Sequence, residues 1–298
     1  MNGKYTLRGV CFGEVLWDVF PTHKKIGGAP LNVAVRMSSL GVETTVISRI
    51  GADENGEDIL SFLNNQEITT DLIQLTKEYK TGVVNVMINE KGNASYDILY
   101  PSAWDKIVET EIMDKVVSEA DLFVFGSLSS RDDVSRKTLI SLLDKAKYKV
   151  FDANLRAPYY TTELLKELMQ KANFIKLNDE ELREISRELG SPYNSFEQNI
   201  KFIAEKTNTK QICVTKGEFG AVLYYNDKFY YNSGYFVKVV DTVGAGDSFL
   251  ASLLVRLLRG KSAQKSLNYA CAIGALVAGQ EGANPHISEK EIKKFMMI

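Results

Sequence analysis

Cysteine, histidine and net charge are all scarce in this chain, and each scarcity removes a class of function. The three cysteines, Cys11, Cys213 and Cys271, each lie inside an apolar segment with no metal-ligand spacing. An odd count without a framework reads as reduced thiols rather than a disulfide scaffold. Two histidines, His23 and His286, exclude a histidine-rich metal site. A formal net charge of −2 gives no general attraction to nucleic acid or an anionic membrane, so any phosphate binding has to be local. No stretch approaches the roughly 18 consecutive apolar residues of a membrane span. The first residues, Met1-Asn2-Gly3-Lys4-Tyr5-Thr6, lack the apolar core of a signal peptide, so the expected location is cytoplasmic. Also absent are G-x-x-x-x-G-K-[ST] and a full dinucleotide glycine fingerprint, which disfavours a redox Rossmann enzyme. Internal repeats, low-complexity tracts and linkers are missing too. With 45% hydrophobic and 25% charged residues, the chain can bury a sizeable core.

What is present is a rhythm of strands and helices. Strands are expected at residues 7–12, 44–50, 122–125, 149–151, 174–177 and 211–214. Helices are expected at 30–40, 55–66, 135–146, 161–171, 196–206, 264–279 and 288–296. The alternation implies an α/β fold with a mostly parallel sheet and helices on both faces. The run 122–125 is apolar throughout, as a strand covered on both faces should be. A hairpin is expected at 221–224 and 228–231. Between Lys80 and Tyr100 the texture changes. Val84, Val86 and Ile88 alternate with Val83, Asn85 and Met87, Glu90-Lys91-Gly92-Asn93 makes a turn, and residues 95–100 run back. This second hairpin breaks the rhythm and reads as a lid or edge insertion.

The chain is organised around Val239-Val240-Asp241-Thr242-Val243-Gly244-Ala245-Gly246-Asp247-Ser248-Phe249. Residues 235–240 are apolar and β-branched and predict a buried strand. Two glycines break it, and Asp247 precedes a helix whose Phe249, Leu250, Leu253, Leu254, Leu257 and Leu258 recur at three- and four-residue spacing, with Gly260 as its stop. A glycine turn at a helix N-terminus is an anion site, because its N–H groups lack intrahelical partners and the helix dipole adds positive charge. Asp247 reads two ways: as a favoured cap residue, or as the base that phosphoryl transfer needs to orient an acceptor hydroxyl. A second glycine-rich stretch, Gly27-Gly28-Ala29-Pro30-Leu31-Asn32-Val33-Ala34, opens the first helix. Pro30 suits a first turn, whereas Asn32 is a poor helix former.

Both stretches resemble the signatures of the ribokinase-like carbohydrate kinases, and the resemblance runs from about residue 10 to residue 287. It implies a three-layer α/β sandwich: one kinase domain over residues 1–298, with a mostly parallel central sheet and a small β lid from roughly 14–26 and 80–105. It implies ATP and magnesium, with a nucleotide bound in the C-terminal half. Carried over residue by residue, Gly244, Ala245 and Gly246 form the anion hole and Asp247 is the general base. Asn178 and Glu181 match the family's Asn-x-x-Glu, which places Asn178 near the nucleotide and Glu181 near magnesium through water; without the family they read as an acidic helix N-terminus. Thr215 and Gly217 match a nucleotide loop. Asp18, Gly28 and Asn32 correspond to sugar contacts. Arg156 offers a planar fork to a sugar or phosphate oxygen, or makes a surface salt bridge. Trp104 is either core or an apolar face for a sugar ring. Asp241 and the segment Gly282-Ala283-Asn284-Pro285-His286 fall in the region of a monovalent-cation site, with potassium as the ion.

Glu14-Val15-Leu16-Trp17-Asp18-Val19-Phe20-Pro21, the glycine stretch after it, and Ala103-Trp104-Asp105 are similar to the fructokinase branch. The expected function is therefore ATP-dependent phosphorylation of D-fructose to fructose 6-phosphate, by a homodimer formed through the lid. Rival readings are a kinase for another sugar, for 2-keto-3-deoxygluconate or for a nucleoside, and a sugar-binding regulator without activity.

Overall fold

A computed structural model describes residues 6–88 and 94–297. Contacts divide the chain into two compact units, residues 1–123 with 129–147 and residues 124–128 with 148–298. The expected turn at 90–93 lies outside the described residues.

In the first unit, β1 (Arg8–Phe12) is followed by β2 (Leu16–Val19), β3 (Lys24–Gly27), α1 (Ala29–Ser39), β4 (Glu43–Gly51), α2 (Glu54–Asn65) and β5 (Ile73–Thr76). Next come β6 (Gly82–Ile88), β7 (Ala94–Ile98), α3 (Glu111–Glu119), the start of β8 (Leu122–Gly126) and α4 (Asp133–Lys145). β1 pairs in parallel with β4, from Arg8 against Glu43 to Phe12 against Ile47, and β4 pairs in parallel with β5. The strand order here is β8-β1-β4-β5. Phe12 and Phe123 touch in the core with ring centroids 6.2 Å apart. α1 ends where Gly41 turns left-handed at φ 72°, which only glycine does cheaply.

The unit's second sheet has the order β3-β2-β6-β7, with β2 antiparallel to β3, parallel to β6, and β6 antiparallel to β7. One face of its hairpin is covered: Val84, Val86 and Ile98 are buried, whereas Met87 and Tyr96 are exposed.

In the second unit the end of β8 is followed by β9 (Lys149–Asp152), α5 (Thr162–Lys171), β10 (Phe174–Asn178), α6 (Asp179–Glu188), α7 (Phe196–Thr207) and β11 (Gln211–Thr215). The chain continues through β12 (Ala221–Tyr225), β13 (Lys228–Asn232), α8 (Ala245–Leu258), α9 (Ala263–Ala278) and α10 (Glu289–Phe295). The order is β13-β12-β11-β10-β9-β8. β9, β10 and β11 are parallel neighbours, and β12 and β13 extend them as an antiparallel hairpin. All five residues of β8 are buried, as the apolar run 122–125 requires.

Two expectations need correction. Residues 233–239 form no strand: the segment is irregular, Val239 and Val240 are more than half exposed, and Phe236 is fully exposed. At its C-terminal end the N–H groups of Val240 and Asp241 donate to Ala278 O at 2.8 and 3.2 Å. Second, Asp247 does not precede α8. The helix begins at Ala245, with Gly244 as its cap, so Asp247 is the third helical residue. Two elements, β5 and α3, have no counterpart in the sequence expectations. No described helix is long and apolar enough to cross a membrane.

Candidate active site

The α8 N-terminus is built by a braced turn. The Asp241 carboxylate accepts from Val243 N at 3.0 Å and from Gly282 N at 3.1 Å. Gly244 has φ 74°, and a Cβ there would lie 2.5 Å from Ala283 Cβ, so both conformation and space demand glycine. A glycine cap has no side chain to satisfy the first turn, and α8 has no side-chain cap bond. Ala245 N–H donates to Thr242 O at 3.3 Å, and a glycine-capped first turn of this kind is a place where an anion is the natural ligand. Asp247 stands in the same turn, half-buried.

Beneath the turn lies a charged pair. Lys176, in the middle of β10, is in register with Asp152 at the end of β9. Its Nζ donates to Asp152 Oδ1 at 3.0 Å, and the two side chains are 8% and 4% exposed. Burial would strip the Lys176 charge, but the carboxylates of Asp152, Glu181 and Asp247 outweigh it and hold the ammonium well above its ordinary pKa. Neither Lys176 nor Asp152 is among the candidate site residues that the sequence singles out. The available signal was a lysine inside the apolar run Phe174-Ile175-Lys176-Leu177.

Asn178 and Glu181 form a capping box at the start of α6. Asn178 Oδ1 accepts from Glu181 N at 2.8 Å, and Glu181 Oε2 accepts from Asn178 N at 2.7 Å. Glu181 Oε1 accepts from Leu155 N at 2.9 Å. With both oxygens engaged, Glu181 fits a magnesium ion only through water, in keeping with that ion's habit of retaining water. Among the described residues no three His, Cys, Asp or Glu side chains cluster as a metal site. Arg156 is exposed, and its Nη1 donates to Leu155 O at 2.9 Å. Thr215 ends β11, and Gly217 turns left-handed at φ 57°.

A cavity of about 650 Å³ opens in this unit. It brings together Lys176, Asn178, Thr215, Gly217, Ala245 and Gly246. The irregular segment that the sequence suggested was a strand lines it too, through Tyr235, Phe236, Val237 and Val239, and so does Phe219. Phe219 is 66% exposed. Exposed aromatic rings beside a polar turn suit a flat base joined to phosphates.

In the first unit, the acceptor candidates gather on β2, β3 and α1. Asp18 is half-buried on β2, and its Oδ2 occupies the space that a Cβ on Gly27 would need. Gly28 caps α1 at φ 112°, against the carbonyl of Glu14. Asn32 is buried in the first turn, its N–H donating to Gly28 O at 2.9 Å. Trp104 is corrected out of this group. It is 0% exposed, with the Arg131 guanidinium 4.1 Å from its ring centroid and Ser135 Oγ donating to its carbonyl at 2.7 Å. No face of the ring is open to a sugar.

Residues 4–290 match the pfkB family carbohydrate kinases. Fructokinase-2 of Solanum habrochaites is 29% identical, over 93% of this chain and 92% of that protein. A crystal structure of an uncharacterised sugar kinase from Pyrococcus horikoshii, in complex with ATP, is 27% identical and superposes with a TM-score of 0.83 over 97% of this chain and 98% of that one. The fold is also shared with fructokinase of Vibrio cholerae in its fructose, ADP and calcium ion bound form, at a TM-score of 0.84 and 22% identity over 98% of this chain and 99% of that one.

Proposed function

The chain belongs to the pfkB family of carbohydrate kinases, and on that premise we propose that it transfers the γ-phosphoryl group of ATP to D-fructose, giving fructose 6-phosphate. The observation that carries the reading is the glycine-capped first turn of α8, which presents backbone donors and the Asp247 carboxylate together beside a cavity of nucleotide size. Ala245 and Gly246 N–H groups, with the αL turn at Gly244, receive the moving phosphoryl oxygens. Asp247 orients the acceptor hydroxyl and takes its proton. Asn178, Thr215 and Gly217 are assigned to the nucleotide, and Asp18, Gly28 and Asn32 to sugar hydroxyls, since a carboxylate and an amide can together accept from and donate to a polyol. Magnesium arriving with the nucleotide would neutralise phosphate charge and meet Asn178 and Glu181 through water. Fructose as acceptor is supported by the fructokinase relatives. The four-stranded sheet of β2, β3, β6 and β7 is assigned to a lid, and its exposed Met87 and Tyr96 support a homodimer through that face.

The test is acceptor-dependent ADP release over fructose, ribose, 2-keto-3-deoxygluconate and adenosine. Fructose should give the highest kcat/KM. Another acceptor winning would overturn the substrate, and no release with any of them would favour a sugar-binding regulator. In the same assay Asp247→Asn should lower kcat by about 10²–10⁴-fold while leaving sugar binding intact. Turnover within a few-fold of the parent would reduce Asp247 to a helix residue.

A further inference from the structure

We infer that Lys176 is a second catalytic group: its ammonium, tethered by Asp152, donates to the γ-phosphoryl of the bound nucleotide. The inference rests on the nucleotide reading of the cavity. It begins with an anomaly in β10. Phe174, Ile175 and Leu177 are fully buried, and a lysine among them carries a charge into the interior that must be compensated. Asp152 compensates only part of it. The Lys176 ammonium has three protons, and its one hydrogen bond goes to Asp152 Oδ1. Asp152 Oδ2 is itself buried without a hydrogen-bond partner. A half-satisfied buried polar pair is costly, and such exceptions call for an explanation.

The explanation lies in where the ammonium points. Lys176 lines the cavity and is the only basic residue that does so among the described residues, alongside the acidic Asp179, Glu180 and Glu218. Its Nζ lies 3.5 Å from where a Cβ on Gly246 would stand. An anion received by the first turn of α8 at Gly246 therefore arrives next to the ammonium. Charge on the transferring group is spread over its equatorial oxygens, and a fixed cation in a partly dry site stabilises it strongly. Lys176 Nζ donates to the Asp152 carboxylate, an ammonium's partner, at 3.0 Å, so it serves as a donor and not as a base. In the step, the bond from Pγ to the β–γ bridging oxygen breaks and ADP leaves. The acceptor oxygen forms the new P–O bond, its proton passes to Asp247, and Lys176 retains its own. Asp152 is the positioning residue that keeps the ammonium from swinging toward the other carboxylates.

A contact to the γ-phosphoryl predicts selectivity that a structural lysine would not produce. Because Lys176→Met alone strands a buried carboxylate, the double variant Lys176→Met with Asp152→Asn is compared with the parent. Affinity for ADP and for β,γ-imido-ATP is measured by calorimetry, with the melting temperature recorded. The double variant should bind ADP within about threefold of the parent but lose about tenfold or more for the imido analogue, the equivalent of one hydrogen bond to a charged group. Its kcat should fall by about 10²–10³-fold, as for loss of one preorganised donor. Lys176→Arg, which keeps the charge, should recover part of the analogue's affinity. Equal losses for both nucleotides, or no loss for either, would overturn the inference. A parent chain that binds neither nucleotide would overturn the reading of the cavity itself, a separate failure visible before any variant is made.

Discussion

At the scale of single residues, buried cations do different jobs according to their surroundings. Lys176 and Arg131 are both buried cations paired with an aspartate, and Lys176 also lines the cavity of the second unit. Arg131 Nε and Nη2 reach both oxygens of Asp105, at 2.7 and 2.8 Å, in a bidentate pair whose side chains are essentially dry. The guanidinium also covers Trp104, so this cluster is a structural core. Arg131→Met leaves Asp105 buried and unpaired and should destabilise by about 3–5 kcal/mol. Trp104→Ala should cost a similar ~3–5 kcal/mol. Urea denaturation measures both losses. The sugar KM of the folded Trp104→Ala fraction should stay within a few-fold of the parent; a large rise without loss of stability would return Trp104 to the acceptor site.

Among the elements, α2 shows how one cap can bind two parts of a unit. Asp53 Oδ1 accepts from Gly56 N at 3.0 Å and from Thr81 Oγ1 at 2.6 Å, while Oδ2 accepts from Thr81 N at 3.0 Å. The cap therefore ties the start of α2 to the residue just before β6. Burial would raise its pKa, but the bonds from Thr81 and Gly56 outweigh it and hold the carboxylate below the usual 3.8. A carboxylate with a depressed folded pKa stabilises the protein fully above the unfolded value and loses that contribution as pH falls through the folded one. Solvent still reaches Asp53, so screening limits its worth. Asp53→Ala should cost about 1 kcal/mol at pH 7, and the gap from the parent should shrink as pH drops below 4. A gap that is the same at pH 3 and pH 7 would show that the ionised carboxylate is not what holds the cap.

For the whole molecule, the central question is whether the four-stranded sheet moves on acceptor binding. A kinase has to keep water from the γ-phosphate, and closure driven by the correct acceptor is the common means. The hairpin of β6 and β7 is joined to β2, which carries Asp18, so a sugar held by Asp18 would act directly on the sheet. Hydrogen exchange at the backbone of β6 and β7 should slow with saturating fructose and hardly change with ATP alone. Exchange indifferent to sugar would make the sheet a fixed edge.

The sequence by itself determined most of the elements and the conformation of the principal turn. Apolar patterning located α9 and most of the strands to within a residue or two, and α8 with its start three residues late, because such a pattern is a local property. The left-handed glycine at 244 and the helix after it were legible for the same reason, since both are decided by neighbours in sequence. Only the tertiary structure decided three other matters. Whether residues 233–239 pair as a strand is decided by contacts outside the segment, and most of them instead line the cavity. Whether Trp104 faces a sugar or the core depends on Arg131 arriving above it. Lys176 meets Asp152 only through the parallel register of β10 with β9, and a register between segments 24 residues apart in sequence is set by packing, which no local pattern encodes.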